Sequence, residues 1–218
     1  MNSEQLWYDV GMSNFADSNA PTSAPVVLKP HDVALLLKII AVENSGDNRG
    51  GARSGSESFS VPPLRRIAEA TGISLAEVHN SLGRARAVGL ILSNGGLHVN
   101  RRGLLDLMTY GMRWVFPPSR GGLVRGIPTS YAAAPLADQL ILGSDPPPVW
   151  AYAEGKERGI ALSPLYPRAV EAALQDPAFY ELLVLADALR SNETRARERN
   201  LAQTFLRERL DRTTTNAI

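Results

Sequence analysis

Two side chains on one short segment have the chemistry to recognise a polar, edge-on target. In SLAEVHNSLGRARA, residues 74–87, Asn80 and Arg84 lie four residues apart. Residues spaced by four share a helix face. An asparagine amide both donates and accepts, matching adenine N6 and N7, while a guanidinium forks onto guanine O6 and N7 or onto a phosphate. At about 100° per residue Leu75, Val78, Leu82 and Ala85 cluster on one side, with Ala76, Glu77, Asn80, Arg84 and Ala87 opposite. The leucine side is expected to face a core and the polar side to face solvent. Ser74 followed by Glu77 has the capping-box spacing, which starts the helix at Ser74 and gives Glu77 a purely local role as an alternative.

Other chemistries find little support. The three histidines, His31, His79 and His98, have no metal-ligand or catalytic spacing to one another. No glycine-rich phosphate loop follows a strand and no serine sits in a nucleophile-elbow motif, so the chain is expected not to be an enzyme and to need no cofactor. With no cysteine there is no disulfide framework, thiolate metal site or thiol nucleophile.

Charge is unevenly spread. The net value is +1, yet residues 49–125 hold eleven arginines and only four carboxylates, so this stretch alone carries +7. Such a surface suits a polyanion; ordinary solubilising groups are the plainer alternative. No apolar run approaches the roughly 18 residues of a membrane span, and MNSEQLWYDVGMSNF has neither a basic start nor an apolar leader. A cytoplasmic protein without membrane contact is expected.

The elements that position the polar face can be read on either side of it. Residues 1–28 end in DSNAPTSAPVV and are expected to be a flexible arm, with Trp7, Tyr8 and Phe15 available to fasten it to a partner. LKPHDVALLLKIIAV has proline in a first turn and apolar residues around much of its circumference, predicting a buried helix. Residues 44–60, with four glycines and five serines, predict a disordered loop. VPPLRRIAEATG predicts a short helix packed through Leu64, Ile67 and Ala68 and ended by Gly72, with Ser60 as a candidate cap. After the polar helix, Asn94-Gly95-Gly96 between apolar runs predicts a hairpin.

The text LRRIAEATGISLAEVHNSLGRARAVGLI followed by LSNGGLHVN resembles the winged helix-turn-helix domain of bacterial transcriptional regulators, the MarR-like and related groups. The resemblance covers about residues 30–100. It implies that the 74–87 helix enters a major groove through Ala76, Glu77, His79, Asn80 and Arg84, with Ser74 and nearby amides on a phosphate. It further implies a wing around Asn94, flanked by Arg101 and Arg102, and backbone contacts from Arg65 and Arg66. Those last two arginines could equally decorate a solvated helix, and Arg86 is expected to snorkel or pair. The outward Glu77 and the absence of any basic residue in Ser93-Asn94-Gly95-Gly96 depart from a strongly phosphate-binding pattern.

The expected fold is mainly α with a small β-hairpin: a winged helix-turn-helix domain over 29–100, a helix and Pro/Gly-rich connector over 101–134, and a C-terminal α-rich region over 135–218 with a second hairpin. In the first of these later parts RRGLLDLMTYGMRWVF is read as one helix, while PPSRGGLVRGIPTSYAAAPL is read as irregular. Residues 149–162 should form the hairpin, with Trp150 and Tyr152 more suited to packing than to a ligand pocket. The two terminal helices, with Phe179 to Leu189 and Leu201 to Leu210 as their apolar sets, could supply a subunit interface or the core of a small domain. The function expected is a homodimeric, nucleoid-associated regulator that reads double-stranded DNA in half-sites. The alternative is a winged-helix module that binds a protein partner.

Overall fold

Burial of one helix around its whole circumference organises the fold. In the computed structural model, which describes residues 25–45, 64–92, 96–141 and 143–211, helix α1 (Pro30–Asn44) has every residue from Asp32 to Ala41 buried. A helix apolar around its circumference must be surrounded. Around α1 stand α2 (Leu64–Thr71), α3 (Leu75–Ala87) and a long helix near the C-terminus, α7 (Pro177–Arg190). The short strands β1 (Ile91–Leu92) and β2 (His98–Val99) pair antiparallel, Ile91 with Val99 and Leu92 with His98. Residues 1–24 of the arm expected over 1–28, most of the 44–60 loop, the cap at Ser60 and the hairpin tip with Asn94 lie outside the described residues. Asn44 itself belongs to α1.

Asn100 caps the next helix as expected, its side chain accepting from the Gly103 amide. The segment is not one α-helix. It runs as α4 (Arg101–Asp106), a π-helical turn over Leu107–Gly111, and α5 (Met112–Val115). The widened turn rotates α5 relative to α4, so Leu104, Met108 and Met112 stay buried while Val115, assigned to the same apolar face by the sequence, points to solvent.

The connector read as irregular holds the longest strand, β3 (Arg120–Pro128). Its glycines and arginines mask the strand pattern. β3 pairs antiparallel with both β4 (Pro148–Ala151) and β5 (Glu157–Leu162), and β4 and β5 close the barrel by pairing parallel, Pro148 with Ile160 and Val149 with Ala161. The predicted hairpin between 149 and 162 is therefore corrected: both strands exist, but each uses β3 as its antiparallel partner. Closing three strands on themselves leaves no room at Gly126, where an added Cβ would stand 2.0 Å from the Trp150 carbonyl oxygen.

Asp187, buried on α7, fastens the barrel. Its carboxylate accepts from Thr129 Oγ1 and Trp150 Nε1, both at 2.7 Å, and from Arg190 Nε at 2.8 Å. Arg190 in turn donates to the carbonyls of Phe116 and Ser163. Trp150 is thus a packing residue, edge-on to Tyr180 with ring centres 5.6 Å apart. After α6 (Ala169–Leu174), α7 and α8 (Ala196–Asp211) pack on each other and on the shared core. Phe179, Leu182, Leu183, Leu185 and Leu189 are buried within the subunit, as are Ala202, Leu206 and Leu210. Of the two roles open to the terminal helices, these side chains fill the core. A single cluster of buried residues runs from Val33 to Leu210.

Candidate nucleic-acid interface

The turn between α2 and α3 is set by Gly72, whose φ of +67° lies where side-chain-bearing residues are strained. The Arg168 side chain also lies across it, 2.7 Å from where a Cβ would stand, and would have to shift for any larger residue. Ser74 then caps α3, its hydroxyl accepting from the Glu77 amide at 3.2 Å. At the far end Gly89, with φ of +77°, closes a Schellman turn in which the Leu90 amide reaches back to the Ala85 carbonyl at 2.8 Å. Val78, Ser81, Leu82 and Ala85 are buried, which fixes the rotation of α3.

That rotation leaves Ser74, Leu75, Ala76, His79, Asn80, Gly83, Arg86 and Ala87 exposed. Among the described residues α3 packs chiefly on α1, α2 and β1, all behind it. Gly83 has open space where a side chain would be. Asn80 makes one long contact, Nδ2 to Glu77 Oε2 at 3.4 Å, and is otherwise presented to solvent.

Arg84 does not project as the helical wheel suggested. Its Nε and one terminal nitrogen donate to Asp32 Oδ2 and Oδ1 at 2.8 and 2.6 Å, and the same terminal nitrogen lies 2.6 Å from Glu77 Oε1. Asp32, at the N-terminal end of α1, also accepts from Ser81 Oγ at 2.6 Å and from the Lys29 amide at 2.8 Å. His31 Nε2 stands 2.8 Å from Glu77 Oε1, and Lys29 Nζ stands 3.3 Å from the same oxygen. The sequence reading of Arg84 as an outward side chain is corrected. Its guanidinium is the cation of a clamp that fixes α3 to α1.

Glu77 is corrected with it. Its amide donates to the Ser74 cap, but its carboxylate turns to Arg84 and His31, so it neither closes the capping box nor stands open as a base reader. Hydrogen bonds from Arg84, then His31, hold the Glu77 carboxyl down at about 2 despite some desolvation. Burial alone would raise Asp32, yet hydrogen bonds from Arg84, Ser81 and the Lys29 amide together leave it below the usual carboxylate range. Arg84 is driven further toward its charged form, mainly by Asp32. His31, Asp32 and Glu77 bring ligand atoms within 4.8 Å of one another, the spacing of a metal site. Arg84 already supplies a positive charge to both carboxylates, so these residues do not suit a metal ion.

The remaining predicted residues divide. Arg65 and Arg66 are exposed on α2, with Arg65 Nε 3.4 Å from Glu69. Arg102 is exposed beyond the hairpin. Arg101, expected to flank a nucleic acid, is turned inward instead: it pairs with Glu43 and donates to the Leu210 carbonyl at 2.7 Å and Asn44 Oδ1 at 3.3 Å. Arg86, expected to snorkel or pair, is exposed, and among the described residues it has no salt-bridge partner. The helical wheel could have ranked it higher, since it follows His79 by seven residues and so shares its stripe. The open face of α3 therefore offers His79, Asn80 and Arg86 as its hydrogen-bonding groups.

No protein-family model, curated protein or solved structure matches the chain.

Proposed function

We propose that the chain is a sequence-specific, DNA-binding transcriptional regulator of the winged helix-turn-helix kind, with the outer face of α3 in the major groove. One observation carries this reading: α3 is clamped rigidly from behind while its outer face, with His79, Asn80 and Arg86, is left open. Preorganised polar groups on a rigid helix are what base readout requires. Asn80 would read an adenine edge and Arg86 a guanine edge or a flanking phosphate. Arg65, Arg66 and Arg102 supply charge for phosphates, and the β1–β2 hairpin takes the place of a wing. Arg84 acts here as a positioning residue.

A homodimer completes the reading, since paired helices read paired half-sites about 34 Å apart. With the terminal helices spent on the core, the helix after the hairpin is the better candidate for the interface. It exposes Tyr110 at 70% and Trp114 at 72%, with Val115 beside them. Large aromatics are the residues that dominate such contacts. Titration of labelled DNA from upstream of the protein's own gene tests the proposal. Asn80→Ala with Arg86→Ala should weaken specific binding by at least tenfold, each base contact being worth about 1–3 kcal/mol; unchanged affinity in a folded double variant would refute it.

The second reading is a protein-binding module. Leu75, Val88 and Leu92, each just over 40% exposed near the two ends of α3, favour it. A stoichiometric protein retained through nuclease treatment, with no binding of the upstream DNA, would decide for this reading.

A further inference from the structure

A second cluster stands away from α3, where α5 meets the loop between α7 and α8. Three side-chain atoms there are buried with no hydrogen-bond partner: Arg113 Nε, Thr194 Oγ1 and Arg199 Nε. Arg199 is hydrogen-bonded to the Thr194 carbonyl and lies near enough to Arg113 to feel its charge. Arg113 lies in the last turn before Phe116, whose carbonyl accepts from Arg190 at the end of α7. Ser191 comes directly after Arg190, and the carbonyls of Ser191 and Thr194 accept from Arg199 Nη2 at 3.1 and 2.9 Å. Thr194 is only 3% exposed. Arg113 and Arg199 remain partly open to solvent.

Unpartnered donors in such a place are costly, at about 1–3 kcal/mol each. Their charges also conflict: burial first, and then the neighbouring Arg113, lower the pKa of Arg199. Among the described residues neither guanidinium has a carboxylate within salt-bridge reach. Glu198 is close enough to oppose the effect in part, but its carboxylate accepts from the Arg195 amide at 2.8 Å. Glu193 is drawn off by Arg120. The Nε groups of two guanidiniums and one hydroxyl, each without an acceptor, describe a receptor suited to an anion with several oxygens.

We propose that Arg113, Thr194 and Arg199 bind a small oxyanion of the phosphate type, either the free ion or the phosphoryl group of a small metabolite. Charge-assisted bonds from two arginines suit phosphate geometry, and the Thr194 hydroxyl donates to a third oxygen. Thr194 lies too deep for the backbone of a DNA duplex to reach it. The site is separate from the α3 face and does not depend on the DNA-binding reading. It lies beside Trp114, whose ring centre is 4.6 Å from the Arg113 guanidinium, so a bound anion would also act on the face proposed for dimerisation.

Calorimetric titration of the full chain with inorganic phosphate, and separately with phenyl phosphate, tests the site at constant ionic strength set with chloride. Saturable one-to-one binding with a Kd near or below about 1 mM is expected. At ten times Kd, Tm should rise by about 3–5 °C over the chloride control. The tighter of the two probes identifies whether a free ion or a phosphomonoester is the better fit, and either order supports the site. Arg113→Gln and Thr194→Val should each weaken binding at least tenfold. Thr194→Val is nearly isosteric and breaks no hydrogen bond of the Thr194 side chain, so it decides the matter if Arg113→Gln does not fold. No saturable response to either probe, or binding unchanged in folded Thr194→Val, overturns the proposal.

Discussion

Replacing Arg84 with methionine separates a clamp from a base reader. The substitution keeps the unbranched apolar stem of the side chain and removes the cation from Asp32, whose side chain has no exposed surface. Breaking a buried pair from one side costs about 3–5 kcal/mol because the remaining charge is stranded. Ser81 and the Lys29 amide still hydrogen-bond Asp32, and Arg84 is itself 18% exposed, which places the expected loss at the lower end, about 3 kcal/mol. For a chain of this size that lowers Tm by about 6–12 °C.

Stability should also depend on pH, with a sign set by the two carboxylates. In the native protein the depressed Asp32 and Glu77 carboxyls contribute stability that is present above their unfolded pKa values and is lost as pH falls through the folded ones, about 2 for Glu77. In Arg84→Met burial dominates at Asp32 and raises its pKa, so the variant loses stability as pH rises through the unfolded value. The gap between the two proteins should therefore widen from about pH 3 to pH 6 and then level off. Urea unfolding monitored by circular dichroism at several pH values measures it. Asp32→Asn combined with Arg84→Met should recover part of the loss, because no charge is left stranded. A gap under about 1 kcal/mol, or one independent of pH, would refute the clamp.

Three further outcomes are expected. Asp187→Ala leaves Arg190 buried without its carboxylate and frees Thr129 and Trp150, so it should cost about 3–5 kcal/mol in denaturant unfolding and shift the Trp150 emission. Gly126→Ala forces a methyl group against the Trp150 carbonyl and should destabilise the chain by about 3 kcal/mol, read as a lowered thermal midpoint, whereas Gly83→Ala meets nothing and should not. Trp114→Glu should weaken self-association by at least about 30-fold in sedimentation equilibrium, while a variant with unchanged mass at every concentration would remove the helix after the hairpin from the interface.

Local signals were legible where one short stretch decides the outcome. Gly72, Ser74 and Asn100 set boundaries through their own backbone or side chain, and each stands where the sequence places it. The apolar set of α3 likewise predicts its buried side. What failed depended on distant residues. Arg84 sits on the polar arc of its helix, but Asp32, 52 positions earlier, captures it, and no periodicity within α3 reveals that partner. Arg101 is taken by Glu43 and the end of α8 in the same way. β3 was hidden because a strand in a tight barrel needs glycines where strands usually carry β-branched residues, and the parallel pairing of β4 with β5 depends on β3 serving both as antiparallel partner. The π-helical turn moved Val115 off the face that a 3.6-residue period assigns to it.

The most direct test of the central claim is a salt-varied titration of upstream DNA with the wild-type chain, Asn80→Ala/Arg86→Ala, and Arg65→Gln/Arg66→Gln. The first variant should lose specific binding while keeping the affinity for unrelated DNA to within a few fold, and the second should weaken both and flatten the log–log salt slope by up to about two units. Equal affinities and equal slopes for all three folded proteins would contradict DNA readout by α3.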